Sequence, residues 1–231
     1  LASHGKRVLL VDVDPQANAT SSLGVDKNAL SRSVYDVLIG SESPASLAMV
    51  TGCPGLDLLP SSPALAGAEV ELTQVIGRET RLRHALQQVR QRYDLILIDT
   101  PPSLGMLTIN ALTASDGVFI PIQCEYLPLE GLAQLLRTIE LIRQRLNPDL
   151  AVRGLILTMY DRRTNIARQV VQEIMDHFPT TVFHSIIPRN VKLSEAPSYG
   201  EPILTYAPDS PGGQAYEALS REILASESTL S

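Results

Sequence analysis

Three aspartates stand where chemistry could use them. Asp12 and Asp14 follow the aliphatic run Val8-Leu9-Leu10-Val11, and Asp99 follows Leu95-Ile96-Leu97-Ile98. Such near-continuous apolar runs are the mark of strands covered on both faces in a parallel sheet. The acids, with Pro15, Gln16 and Asn18 behind the first pair and Pro101 and Pro102 behind the other, occupy the positions where those strands must end. In open α/β sheets the carboxyl edge is where ligands sit. Carboxylates delivered there can hold Mg²⁺ through water, and the ion in turn bridges the terminal phosphates of a nucleotide. One aliphatic strand ending in an acid is common in any α/β protein. Two of them in one chain are more specific.

The elements needed to position these acids follow from the pattern. Apolar runs predict strands over 8–12, 56–59 (closed by Pro60), 93–99, 117–122, 153–158 and 182–187. Between them, spacings of three and four predict helices over 65–75, 79–92, 107–114, 129–146, 166–177 and 215–224. Ser31 or Ser33 caps a short helix stopped by Gly40, one helical turn is expected near Leu47 and another over 194–199, and 19–24 reads as a polar loop able to line a phosphate. Strands alternating with helices at this period mean a doubly wound, mostly parallel sheet flanked by helices.

With 231 residues, 44% of them hydrophobic, the chain can bury a sizeable core, and one domain over 1–231 is expected, with 225–231 as a disordered tail. A net charge of -6 argues against a wholly basic nucleic-acid binder but leaves room for a local basic patch. Cys53 and Cys124 lack the spacing of a disulfide framework or a zinc site, which fits a reducing cytoplasm. No apolar run approaches the roughly 20 residues that span a bilayer, so no membrane role is expected. With no Trp and three Phe, a base-stacking platform for single strands is not expected either. At the start, residues 1–7 read as the last turn of a helix, with Gly5 in the left-handed position and His4, Lys6 and Arg7 near the negative pole. That predicts a βα unit cut within its helix, with a strand and a loop absent, on the order of 25 residues; a short disordered start with a chance glycine is the alternative.

In order and spacing, the segments VLLVDVDPQANATSSLG, YDLILIDTPPSLGMLTINALTASD, IPIQCEYLPLEGL, LTMYDRRTN and IPRNVKLSEAPSYGEPI resemble the ParA/Soj family of partitioning ATPases with a deviant Walker A motif. The likeness covers nearly the whole chain. It implies a P-loop NTPase-like fold and ATP and Mg²⁺ as cofactors. Asp14 would orient and polarise the attacking water, Asp12 would support the Mg²⁺ and its water shell, and Asp99 would take the Walker-B place on the ion. Pro188, Arg189 and Asn190, with Met159, resemble the segment that frames the nucleobase; Met159 could equally be plain core. The basic residues that touch DNA in the family map onto Arg163 and Lys192, with Arg162 and Arg168 able to add to the patch. Cations in loops reach phosphates without reading bases, so duplex binding would be sequence-independent and salt-sensitive.

The resemblance further implies a homodimer on ATP, bound to nonspecific double-stranded DNA, stimulated by a ParB-like partner, and located in the cytoplasm on the nucleoid. One departure is large. The family carries KGGxGKTT, whose backbone N–H groups cradle the phosphates, whereas no Gly-Lys-Ser/Thr occurs in these 231 residues. The expectation is therefore a fold missing its first strand and phosphate loop, and a chain that does not hydrolyse ATP by itself. Two other readings remain: a DNA-binding or dimerisation adaptor of the same family without a phosphate loop, and a MinD-like cell-division ATPase. Against the latter, the tail from Ile223 is small, polar and acidic rather than a basic amphipathic helix. An iron-sulfur relative would need a mate for Cys124, and the sequence offers none.

Overall fold

A computed structural model describes residues 1–40, 42–125 and 129–228. The chain divides into two compact units, Leu1–Ser115 with Arg145–Pro148 and Asp116–Gln144 with Asp149–Ser231.

The first unit contains β1 (Val8–Asp12), α1 (Asn18–Ser22), α2 (Val34–Leu38), α3 (Pro44–Leu47), β2 (Met49–Val50), β3 (Leu56–Leu59), α4 (Leu65–Glu71), α5 (Arg81–Gln87), β4 (Leu95–Asp99) and α6 (Met106–Ala114). Its sheet runs β2-β3-β1-β4, with β1 parallel to both β3 and β4 and only β2 antiparallel. As the central strand, β1 buries Val8, Leu9 and Val11 almost completely, which is what its unbroken aliphatic run dictates. Leu38, Leu59, Leu65, Leu72, Leu82 and Leu107 close the same core. Asn110 of α6 accepts from the Leu82 N–H and donates to the Arg78 and Met106 carbonyls, tying that helix to the start of α5.

The second unit contains β5 (Gly117–Gln123), α7 (Leu129–Arg145), β6 (Ala151–Thr158), α8 (Asn165–His177), α9 (Val191–Glu195), α10 (Ile203–Tyr206) and α11 (Pro211–Ser228). β5 and β6 pair in parallel, with an irregularity at Val118/Phe119. Gly154 sits opposite Phe119, and a Cβ there would run into the Phe183 ring, which lies 5.8 Å from that of Phe119. Glycine is needed at that point because an aromatic ring crosses the strand.

Several expectations shift. The 182–187 segment makes only isolated bridges at Val182 and Pro188, yet it runs beside β6 through Phe183 N–H to Leu155 C=O, Ile187 N–H to Leu157 C=O and Arg189 N–H to Tyr160 C=O. The helix read over 79–92 is a 3-10 turn (Arg78–Thr80), α5 and a second 3-10 turn (Arg90–Arg92), although Leu82, Leu86 and Val89 do face the core. α1, β2 and α10 were not foreseen. α9 begins ahead of the turn read over 194–199, which appears as a 3-10 turn at Ala196–Tyr199. α11 starts at Pro211, where Ser210 accepts the Gly213 N–H, and continues through Ser228; the rest of the expected tail lies outside the described residues.

Candidate functional site

β1 and β4 end together. Their register pairs Asp12 with Asp99, and the Val13 N–H continues the ladder to the Asp99 carbonyl at 2.9 Å. The next residues turn sharply. The Asp14 carbonyl accepts the Ala17 N–H at 2.8 Å, and Ala17 takes a left-handed backbone (φ 51°) to start α1. That conformation is costly for any residue with a Cβ, so tertiary contacts must hold it.

Those contacts converge on Asp12, which is fully buried. Asp12 Oδ1 accepts the Asp14 N–H at 3.1 Å, while Oδ2 accepts the Thr20 N–H at 2.8 Å and the Thr20 hydroxyl at 2.7 Å. Thr20 Oγ1 in turn accepts the Ser61 N–H at 2.9 Å, and the Ser61 hydroxyl donates to the Asp14 carbonyl at 2.7 Å. Asp14 is thus gripped at both main-chain groups by neighbours' side chains. Its own Oδ1 accepts the Gln16 N–H at 2.9 Å. Among the described residues no side chain donates to Asp14 Oδ2 or to Asp99, whose carboxyl takes the Thr100 N–H. Asp12, by contrast, spends both oxygens inside the fold. Thr20 and Ser61 were missed in the sequence, where Thr20 reads as part of a loop and nothing marks Ser61 as its partner.

The two edges of this sheet differ in electrostatics. At the amino edge, the Arg7 guanidinium reaches Asp94 at 2.8 Å and holds its carboxyl down to about 2. At the carboxyl edge no cation meets Asp12, Asp14 or Asp99 among the described residues. Asp99, exposed at the strand end, is pushed up to about 6, first by partial desolvation and then by Asp12 and Asp14, against a hydrogen bond from the Thr100 N–H. Burial also raises Asp12, against the opposing pull of the Thr20 hydroxyl and N–H. An uncompensated cluster of this kind favours a cation. No three His, Cys, Asp or Glu groups among the described residues close a metal cage. That donor set suits Mg²⁺, which keeps waters and phosphate oxygens in its shell and takes only one or two carboxylates.

The second unit gathers the remaining candidates at the end of β6. Met159 follows the strand in a left-handed conformation (φ 54°), half-buried. Pro188 bridges Tyr160, and Arg189 ion-pairs with Glu125 at 2.8 Å. Asn190 caps α9 by accepting the Lys192 N–H at 2.9 Å. Arg163 lies across Asp161, with Nε and Nη2 on its two oxygens, and Lys192 Nζ sits 2.8 Å from Glu195 and over the Tyr206 ring. Arg162 and Arg168 are exposed nearby in sequence. Asp12, Asp14 and Asp99 therefore come together in one unit, and Met159, Arg163, Pro188, Arg189, Asn190 and Lys192 gather around one strand end in the other.

Comparison with known proteins gives these positions a context. A model of the AAA domain family matches residues 1–152. The chain is 53% identical to the sporulation initiation inhibitor protein Soj of Bacillus subtilis, over 97% of this chain and 89% of that one. It is 48% identical to the chromosome partitioning protein ParA of Caulobacter vibrioides, over 98% and 86%. Among solved structures, a Mycobacterium smegmatis protein named cobyrinic acid a,c-diamide synthase, with ADP and magnesium bound, superposes with a TM-score of 0.84 at 39% identity, covering 96% of this chain and 83% of that one. The septum site-determining protein MinD of Pyrococcus horikoshii, at 24% identity, shares the fold with a TM-score of 0.76, over 96% and 84%.

Proposed function

This chain belongs to the ParA/Soj family of chromosome-partitioning ATPases, and we propose that it works as one: it binds ATP with Mg²⁺, dimerises on the nucleotide, holds nonspecific duplex DNA on the nucleoid, and is stimulated by a ParB-like partner to hydrolyse and let go. The observation that carries this reading is the register pair Asp12–Asp99 with Asp14 on the adjoining turn. Phosphoryl transfer needs positioning and charge neutralisation more than covalent chemistry. In this assignment Asp14 orients the attacking water and accepts its proton as the bond to phosphorus forms. Asp99 is the carboxylate for Mg²⁺, and Asp12 positions Asp14 and the ion's water shell from within the fold. Magnesium, when bound, neutralises charge between the terminal phosphates. Met159, Pro188, Arg189 and Asn190 frame the base, and Arg163 and Lys192, with Arg162 and Arg168, meet DNA phosphates. The M. smegmatis relative, solved with ADP and magnesium, supports the choice of nucleotide and ion.

A second reading, an adaptor that binds DNA without turnover, differs from the first in needing no phosphate loop. We read these 231 residues alone as unable to hydrolyse ATP. The experiment that separates the readings is to join a KGGxGKTT-bearing strand-loop-helix segment from a Soj relative ahead of Leu1 and to measure phosphate release. Turnover should then appear, and Asp14→Ala should remove it while nucleotide still binds. Phosphate release by the 231 residues alone, or full turnover by the joined Asp14→Ala protein, would sink the assignment.

A further inference from the structure

The two cations that the family likeness maps onto the duplex, Arg163 and Lys192, are each already engaged by a carboxylate of their own unit. Arg163, with a side chain 83% exposed, is held through two nitrogens by Asp161. Lys192 is 2.8 Å from Glu195, and Glu195 also accepts from the Tyr206 hydroxyl at 2.9 Å. Arg189, just ahead of α9, meets Glu125 at 2.8 Å. These pairs are exposed, and exposed pairs add little to stability. They are poorly explained as scaffolding. They do set the potential that an approaching polyanion meets, because the carboxylates lie 2.6 and 2.8 Å from their cations, Glu195 partly exposed and Asp161 tucked beneath the exposed Arg163.

We propose that Asp161 and Glu195, with Glu125 at the margin, are built-in counter-charges that hold the affinity of this surface for duplex DNA below what its cations would otherwise reach. The inference rests on the duplex-binding reading above and extends it to regulation of that surface. A phosphate arriving at Arg163 or Lys192 must share the cation with a carboxylate already there, and the two anions repel. One protomer then binds weakly, and firm retention requires several surfaces on one duplex at once, as effective-concentration arguments demand. An association built from individually weak contacts also lets go readily when those contacts are separated.

The test is binding of the chain to a short fluorescein-labelled duplex, followed by anisotropy in low salt. Asp161→Asn keeps the Asx-turn acceptor for the Arg163 N–H, and Glu195→Gln keeps an acceptor for Tyr206, so both preserve local structure. Each should bind about fivefold more tightly, the size of one Coulombic contact of about 1 kcal/mol across water at 1.4 kcal/mol per tenfold. The gain should shrink as salt is raised, and Glu125→Gln should gain less than either. If Asp161→Asn and Glu195→Gln bind no more tightly than the unaltered chain while Arg163→Glu and Lys192→Glu lose binding, the carboxylates serve only to place the cations and the counter-charge proposal falls. If Arg163→Glu and Lys192→Glu bind as the unaltered chain does, the duplex surface itself is wrong and both readings fall together.

Discussion

The acidic end of β1 and β4 and the basic end of β6 are built on opposite principles. In the first, Asp12 is buried, both its oxygens are spent on Thr20 and Asp14, and Ser61 closes the ring of bonds. In the second, Arg163 and Lys192 project into solvent, each paired with an acid of its own unit. Buried polar groups in low dielectric are expensive to leave unpaired, whereas exposed ion pairs break at little cost. The acidic end is therefore rigid and tied to folding. The basic end can exchange one anion for another without disturbing the fold.

The largest effect that would break or sharpen this contrast is expected at the basic end, in ligand binding alone. Arg163→Glu should abolish retention on duplex DNA in low salt while the melting temperature stays where it was; unchanged retention would remove Arg163 from the surface. At the acidic end, Thr20→Val should act on stability. It takes a hydrogen bond from Asp12 and strands the Ser61 N–H, at a cost of about 2 kcal/mol in denaturant unfolding. A cost near zero would mean that the ring is not tight.

Asp99→Asn probes the uncompensated charge. A carboxyl raised to about 6 in the folded chain from an ordinary 3.8 binds more protons folded than unfolded between those values. Its presence therefore lowers stability as pH rises through that window. Asp99→Asn should raise the melting temperature at pH 8 and leave it nearly unchanged at pH 4, and an equal rise at both would remove the electrostatic account. The smallest effect belongs to Ala17→Gly. Relief of the left-handed backbone, about 1–2 kcal/mol, is offset by the loss of one buried methyl, about 0.8 kcal/mol. A net gain of about 0.5 kcal/mol should appear in chemical denaturation.

The same contrast governs what could be read in the sequence. β1, β3, β4 and β6 were legible as aliphatic runs, which burial explains for β1, whereas β4 carries its run although its residues are only half-buried, and Asp12 and Asp99 were legible as the acids that end two of these strands. Thr20 and Ser61 were not, because what makes them matter is a meeting between residues 41 positions apart. α1, with the sequence Asn-Ala-Thr-Ser-Ser, has weak helix propensity and reads as loop; the bond from its Thr20 N–H to Asp12 is a tertiary contact that overrides the local preference. The two-residue β2, exposed at the sheet's edge, leaves too short a pattern to detect. In the second unit the cations were found and their acids were not. A sequence places Asp161 two residues from Arg163 and Glu195 three from Lys192, but only side-chain geometry turns that spacing into paired charge.

The short stretch after β3 reaches in two directions. Its Ser61 hydroxyl holds the Asp14 carbonyl, while the Pro60 carbonyl takes the Val34 N–H at 2.8 Å and the Ser62 hydroxyl meets that of Ser33, the residue capping α2. Residues 60–62 thus fasten two separate stretches of the unit, the Asp14 turn on one side and the head of α2 on the other, so that a single three-residue segment fixes where both of them lie.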